Sequence, residues 1–377
     1  MGLPLSGIRV LDLSTLVPGP MASLMLAESG AEVIKVERPG EGDTMRSYEP
    51  KFGPDSANFA LLNRGKQSVA ADFKNAEDRD RILELMRSAD VVIEQFRPGV
   101  VDRLGLGYTD VASSNPGVVY CSITGYGPSA PLAMKAGHDL NYVAESGLLG
   151  VVTDDAGNPG LPFSVIGDIV GGAYPAVMNI LMALRQRDRT GQGAHLQVSM
   201  AHNLQTLAYG YLATHHGGGG WPKPGRELLI GGSPRYRVYR TADDRHVAVA
   251  ALEEKFWHRL AELIGLAPSY IQDDGQEDAV IEELTRILAG HSSEYWRRLF
   301  EGEDICTTVV NTFDEAVQMG LMATESGDTV TYGDQGIPAL PVPLDPSVRI
   351  PAGPRNYPPL QDLTADVQWS ATPAMRS

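Results

Sequence analysis

The first third of the chain alternates short β-branched runs with amphipathic helical segments. Strand-like runs are predicted at residues 8–13, 32–36, 68–71, 91–94 and 118–124. This alternation is typical of βα repeats, in which each helix returns the chain so that successive strands pair in parallel. The sequence therefore predicts an α/β fold with a large, Rossmann-like parallel-sheet domain.

The helices between these strands have recognisable ends. Residues 21–28 show helical periodicity, and Gly30 is a plausible stop. Asn75 is expected to cap a helix that runs to Arg87, because Asn side chains accept hydrogen bonds from the first free N–H groups of a helix. A further, largely apolar segment at residues 173–184 is predicted to be a buried helix, with Pro175 in its first turn.

The length of 377 residues exceeds the usual size of a single core, so two domains are expected. We predict a large α/β domain at residues 1–200, completed by residues 326–377. A Gly- and Pro-rich stretch indicates a linker at residues 201–225. Residues 226–325 are then expected to form a smaller α+β domain.

Composition excludes several classes of function. The formal net charge of −16 argues against non-specific nucleic-acid binding, which requires clustered Lys and Arg. No apolar run approaches the roughly 20 residues that cross a bilayer, so no membrane span is expected. With only Cys121 and Cys306, and without a secretory pattern at the start, a reducing, cytoplasmic location is predicted. Neither GxGxxG in the first βα turn nor GxxxxGK[ST] occurs, so a dinucleotide site or P-loop is not supported.

Two segments carry residues suited to proton transfer: AGHDLNY at residues 136–142 and IGDIVGG at residues 166–172. His138 and Asp168, each beside glycines, form a possible acid/base pair. Paired ionisable groups are also common as structural elements, so both interpretations stay open on this evidence.

Several segments resemble family III CoA-transferases and α-methylacyl-CoA racemases, in order along most of the chain. They are LSGIRVLDLS with PGP, AEVIKVERPG, AADFKN, FRPGVVDRLGLGY, and SITGYG followed by GHDLNY. The resemblance implies that Asp168 is catalytic and that His138 is its partner base. It also implies an interlocked homodimer, whose site lies between the large domain of one subunit and the small domain of the other.

Within this superfamily, His138 favours α-methylacyl-CoA racemase activity. Racemisation removes a weakly acidic proton from one face of a thioester and returns it on the other, which calls for two bases. The resemblance places Glu253 as the residue that orients the histidine, with Glu254 as its alternative. The enolate oxygen is expected to bind a backbone N–H, for which the amide of Asp139 is the candidate, while the Asp139 carboxylate is expected to fix the loop.

The substrate implied by the resemblance is an acyl-CoA thioester, with coenzyme A as part of the substrate and no separate cofactor or metal. Arginine suits its phosphates because the planar guanidinium binds two oxygens at once. The residues implied to bind the substrate are Arg38, Ala71, Asp72, Phe73, Lys74, Glu94, Gln95, Phe96, Arg97, Gly137, Asp139, Leu140, Asn141 and Tyr142.

Some residues depart from the racemase pattern. Ser199 and His202 stand where racemases usually have acids, and Arg235 and Arg237 stand near the expected acyl end, which makes a polar acyl group conceivable. A family III CoA-transferase, with Asp168 as a nucleophile that forms an acyl anhydride, is therefore the alternative. A non-catalytic acyl-CoA binder is the second alternative.

Overall fold

The computed structural model describes residues 2–154, 157–322, 327–363 and 367–370. The strands in these residues are β1 (Arg9–Asp12), β2 (Glu32–Glu37), β3 (Lys51–Phe52), β4 (Asp55–Ser56), β5 (Gln67–Ala70), β6 (Val91–Glu94), β7 (Val119–Thr124), β8 (Ala194–Ser199), β9 (Arg237–Arg240), β10 (His246–Val249), β11 (Thr307–Val309), β12 (Thr329–Tyr332), β13 (Gln335–Pro338), β14 (Pro354–Asn356) and β15 (Gln361–Asp362).

The α-helices in the same residues are α1 (Pro18–Glu28), α2 (Ala57–Asn63), α3 (Ala76–Arg87), α4 (Val100–Arg103), α5 (Tyr108–Ala112), α6 (Asp139–Glu145), α7 (Ile166–Asp168), α8 (Tyr174–Thr190), α9 (Met200–Asn203), α10 (Tyr209–Thr214), α11 (Glu254–Ile264), α12 (Glu277–Leu288), α13 (Ser293–Phe300) and α14 (Phe313–Gln318).

A seven-stranded sheet, parallel throughout, is the centre of the fold. Its strands lie in the order β15-β5-β2-β1-β6-β7-β8. The chain winds outward from β1 in one direction and from β6 in the other, as in Rossmann-like folds. The predicted α/β class with a large parallel sheet is confirmed. In such sheets, ligands bind beyond the carboxyl ends of the strands where the winding direction changes, here between β1 and β6.

Local signals account for the elements around this switch point. The Asn75 side chain accepts hydrogen bonds from Glu77 and Asp78, which confirms the predicted cap of α3. The first helix begins before residue 21, where the helical periodicity of the sequence starts: Pro18–Pro20 forms the first turn of α1. Proline fits there because first-turn N–H groups have no acceptor within the helix.

Two compact units divide the chain. One contains the described residues of 1–146, 162–207 and 323–377, with the large sheet, and the other those of 147–161 and 208–322. In the second unit, the antiparallel strands β9, β10 and β11 share a core with α11–α13 that includes the buried Trp257 and Trp296. Part of the predicted linker is helical, since it includes α10 and a π turn at His215–Gly219.

One continuous helical run, Ile166–Thr190, joins α7 to α8 through a π turn at Ile169–Ala173. By length and mean hydropathy alone, it is the single run among the described residues that could cross a bilayer. A core helix meets the same criteria, and 39% of its apolar window is buried. Its last turns also carry Arg185, Arg187 and Arg189.

Candidate active site

A cavity of about 440 Å³ opens at the carboxyl ends of β1, β6 and β7. Its wall includes both His138 and Asp168, the pair predicted from sequence. Arg97, Asn141 and Tyr142 line the same cavity. The switch point of the sheet is therefore where the fold brings these residues together.

His138 is the residue that precedes α6. Its backbone N–H donates to Asn141 Oδ1 at 3.0 Å, and its carbonyl accepts the N–H groups of Asn141 and Tyr142. The side chain is exposed, and the imidazole makes no hydrogen bond within the described residues. The backbone is thus fixed by the first turn of the helix while both ring nitrogens stay available in the cavity.

Tyr142 fixes the residue before the histidine. Its hydroxyl donates to the carbonyl of Gly137 at 2.6 Å. A Cβ on Gly137 would lie 2.9 Å from the Tyr142 ring, so a larger residue would push the ring away. Burial, together with the charges of Asp168 and Asp139, raises the pKa of Tyr142 to about 12. Its hydroxyl therefore remains a donor at neutral pH.

Asp168 ends α7, in a largely buried position. Its backbone N–H donates to Asp139 Oδ1 at 2.8 Å. Burial, and secondarily the charge of Asp139, raises the pKa of Asp168 from 3.8 to about 7. Both protonation states of this carboxyl are therefore populated near neutral pH.

Asp139 itself is 9% exposed, and burial raises the pKa of its carboxyl although the N–H groups of Asp168 and Gly167 oppose that shift. Its carboxylate accepts the N–H of Asp168 and so fixes the turn that carries this residue.

The loop after β6 contributes Gln95, Phe96 and Arg97 to the cavity. The Arg97 side chain is exposed, and its guanidinium makes no ion pair within the part of the chain that the structure describes. Glu94 instead is 3% exposed and accepts the N–H of Phe96 at 2.7 Å. Burial raises the pKa of Glu94 to about 7. Arg97 is thus available to an anionic ligand, whereas Glu94 holds the loop and does not line the cavity.

A second cavity, of about 460 Å³, contains Arg38 and the predicted segment Ala71–Lys74. Phe96 lies in the walls of both cavities and contacts Phe73 edge-on at 5.9 Å between ring centroids. Arg38 donates to Glu41 at 2.6 Å, but both side chains are more than half exposed. Because exposed ion pairs contribute little, a phosphate could displace Glu41.

Four predicted site residues line neither of these two cavities: Glu94, Asp139, Leu140 and Glu253. Leu140 is 42% exposed on α6 and does not line the cavity that holds His138. Glu253 lies in the second unit, just before α11, with an exposed carboxylate that makes no hydrogen bond within the described residues. Glu254, the alternative, pairs with Arg235 at 2.7 Å and with His258 at 3.2 Å. Of the two glutamates, only Glu253 therefore has a carboxylate without a partner within its unit.

Sequence reasoning missed Leu16, which lines the cavity with a left-handed backbone at φ 62°. Asp43, 1% exposed, accepts the Leu16 N–H at 3.1 Å and pairs with Lys35 at 3.2 Å. This buried pair holds a conformation that non-glycine residues rarely adopt. No local pattern indicates it, because Asp43 is 27 residues away in the chain.

A model of CoA-transferase family III matches residues 5–362. The chain belongs to CoA-transferase family III. Human alpha-methylacyl-CoA racemase is 33% identical over 346 residues, which cover 91% of this chain and 86% of that protein. Acetyl-CoA:oxalate CoA-transferase of Acetobacter aceti is also 33% identical, over 307 residues that cover 78% of this chain and 77% of that protein. A racemase and a CoA-transferase thus share the same identity, 33%, with this chain.

The fold is also shared with a solved family III structure. The crystal structure of Rv3272 from Mycobacterium tuberculosis has a TM-score of 0.79 at 28% identity, and the match covers 96% of this chain and 97% of that one. This likeness extends over both units of the chain, each with its own core.

The Arg235 side chain is held by ion pairs within the second unit. Its guanidinium donates to both carboxylate oxygens of Asp273, at 2.9 and 2.6 Å, and to Glu254 at 2.7 Å. It also lies 5.1 Å from the centre of the Trp257 ring. Because its donors are already engaged, Arg235 does not support the polar acyl group suggested by the sequence.

Proposed function

We propose that the protein is an α-methylacyl-CoA racemase that inverts C2 of a 2-methylacyl-CoA thioester. The observation that carries this proposal is that His138 and Asp168 line one cavity. Asp168 has a pKa of about 7, so it can act as either base or acid at neutral pH. The imidazole of His138 is available for the complementary step.

In this mechanism, one of the two groups removes the α-proton and leaves an enolate. The other group then returns a proton to the opposite face, which inverts the centre. The Asp139 N–H is the proposed donor to the enolate oxygen, since it makes no hydrogen bond within the described residues. Glu253 is proposed to orient His138 from the second unit of a partner subunit.

The coenzyme A moiety is proposed to follow the two cavities that share Phe96. Arg97 and Arg38 would bind its phosphates, and the Ala71–Lys74 segment would border the rest. The interlocked homodimer is supported by an exposed apolar face on α8, where Met178 and Met182 are 56% and 64% exposed. A reducing, cytoplasmic location is proposed because both cysteines are free thiols.

CoA transfer is the second candidate, favoured by the equal similarity of acetyl-CoA:oxalate CoA-transferase. In that reaction, the ionised Asp168 carboxylate attacks the thioester carbonyl, and the CoA thiolate leaves behind an acyl anhydride. The raised pKa of Asp168 makes this attack less effective below pH 7, because only the ionised form is nucleophilic. A non-catalytic acyl-CoA binder is the third candidate.

One experiment separates these reactions. The wild-type enzyme is incubated in heavy water with a 2-methylacyl-CoA, with and without a free carboxylic acid and hydroxylamine. Racemisation predicts deuterium at C2 that does not depend on the added acid. Acid-dependent exchange of CoA and a hydroxamate at Asp168, without deuterium at C2, would instead establish transfer. The absence of both reactions, with acyl-CoA still bound, would indicate a binder.

A further inference from the structure

The helical run that carries Asp168 is not α-helical where it leaves the cavity. Directly after Asp168, residues Ile169–Ala173 form a π turn, and α8 continues from Tyr174. A π turn inserts one extra residue into a helix and so rotates the preceding turn of the helix relative to the next one. The direction of the Asp168 side chain therefore depends on this turn.

The sequence supplies a physical reason for the π turn. In an α-helix, the carbonyl of Gly171 would accept the N–H of the residue four positions later. That residue is Pro175, which has no N–H and whose ring clashes with the carbonyl four positions earlier. The buried carbonyl of Gly171 is therefore left without its α-helical donor.

Asn203 provides a donor instead. Its Nδ2 donates to the carbonyl of Gly171 at 2.8 Å, across 32 residues of sequence. A Cβ on Gly171 would lie 2.4 Å from the carbonyl oxygen of Met200, so only glycine allows α9 to approach this closely.

The short helix that carries Asn203 is itself held in place. Ser199 accepts the N–H of His202 at 3.4 Å, which caps α9. The N–H of Ala201 donates to the carbonyl of Gly125 at 2.9 Å, directly after β7. Residues 199–203, which depart from the racemase pattern at Ser199 and His202, thus link the sheet to the π turn.

We propose that Asn203 is a positioning residue for Asp168: it occupies the Gly171 carbonyl that Pro175 leaves without a donor, and so holds the π turn in register. Asp168 is then fixed on both sides, since Asp139 accepts its N–H and Asn203 holds the turn after it. The inference rests on the proposed function only in taking the Asp168 carboxyl as the reacting group.

Loss of this contact would free the turn and expose the carboxyl to water. The titratable and charged groups that face it are Asp139 and Tyr142, with Arg97, Lys135 and His138 in the same cavity wall. None of these is altered by substitution of Asn203. A change in Asp168 titration would therefore report on its exposure and direction.

The test compares full-length wild-type enzyme with Asn203→Ala, with the double variant Pro175→Ala/Asn203→Ala, and with Gln205→Ala as a control. Gln205 lies two residues away, and its exposed side chain makes no hydrogen bond within the described residues. The readouts are kcat and KM in whichever of the two reactions the wild type catalyses. The ¹³C NMR titration of the Asp168 carboxyl is recorded as well, assigned by its loss in Asp168→Asn.

Asn203→Ala is expected to lower kcat by about 10- to 100-fold, the range for small misplacements of a reacting group, with KM changed less than about threefold. The Asp168 pKa should fall toward its ordinary value. The double variant should recover activity to within about fivefold of wild type, because alanine restores an N–H at position 175. Gln205→Ala should match the wild type.

Wild-type kcat and an unchanged Asp168 titration in Asn203→Ala would overturn the proposal. So would a loss that Pro175→Ala does not restore, since the Gly171 carbonyl would not be its cause. If Asn203→Ala does not fold, a folded and active double variant supports the proposal and a misfolded one overturns it. If the wild type catalyses neither reaction, the proposed function fails, while the Asp168 titration still decides the role of Asn203.

Discussion

At the scale of single residues, the proposed proton transfer depends on how the fold changes the pKa values and hydrogen-bond partners of side chains. Resemblance indicated His138 and Asp168, and both line one cavity. The raised pKa of Asp168 could not be predicted, because it arises from burial and from Asp139, 29 residues earlier. The ion pair of Arg235 could not be predicted either, because its partner Asp273 lies 38 residues later in the chain.

The raised pKa of Asp168 predicts a pH-dependent stability. The folded-state pKa of about 7 lies above the ordinary 3.8, so the folded protein binds more protons between these values and loses stability as pH rises through them. Asp168→Asn should therefore match wild type most closely near pH 4 and be more stable at pH 8.5. The gain should be about 2 kcal/mol, roughly half the full shift because the site is partly solvated.

Thermal unfolding at the two pH values measures this difference. Asp188→Asn, on the exposed end of α8, is the control and should show the same offset from wild type at both pH values. An Asp168→Asn offset that does not grow with pH would contradict the raised pKa.

At the scale of elements, regular alternation made the sheet predictable. The predicted bounds of Val91–Glu94 match the observed strand, because its first three residues are β-branched and favour a strand. The π turn after Asp168 was not predictable from its own segment. Pro175 removes a donor locally, but the replacement donor, Asn203, comes from another element. Local sequence patterns thus predict the strands and helices, whereas an irregular turn depends on contacts between residues distant in sequence.

The loop after β6 provides a prediction at this scale. It carries Arg97 into the cavity as an exposed guanidinium without an ion pair among the described residues. Arg97→Ala should raise KM for acyl-CoA by about tenfold, which corresponds to the lower end of the free energy of a charge-assisted hydrogen bond to phosphate. The effect should shrink with added salt, because salt screens the charges. kcat should change little.

Arg189→Ala removes the same charge from the exposed end of α8 and is the matched control. Steady-state kinetics at low and high salt measure both variants. Equal KM values for Arg97→Ala and Arg189→Ala would remove Arg97 from the substrate path.

At the scale of the whole molecule, the proposed site requires two copies of the chain. The exposed apolar residues on one helix face, Tyr174, Met178 and Met182, are expected to be covered by a second copy. Light scattering of the wild type should give twice the chain mass of 40.5 kDa, and Met182→Glu should weaken the dimer and lower activity. A folded, fully active monomer would contradict the shared site and leave Glu253 to act within its own chain.

In the proposed racemase, His138 and Asp168 act as two bases on opposite faces of one carbon. The most direct measurement follows the R and S forms of a 2-methylacyl-CoA in heavy water with wild type, His138→Ala and Asp168→Ala, and with exposed His291→Ala as a control. Wild type and control should incorporate deuterium at C2 from either form. Each active-site variant should lose inversion by at least about 100-fold. Each should retain exchange with one form only, and with opposite preference. Loss of exchange from both forms in one variant, with the other unaffected, would contradict the two-base account.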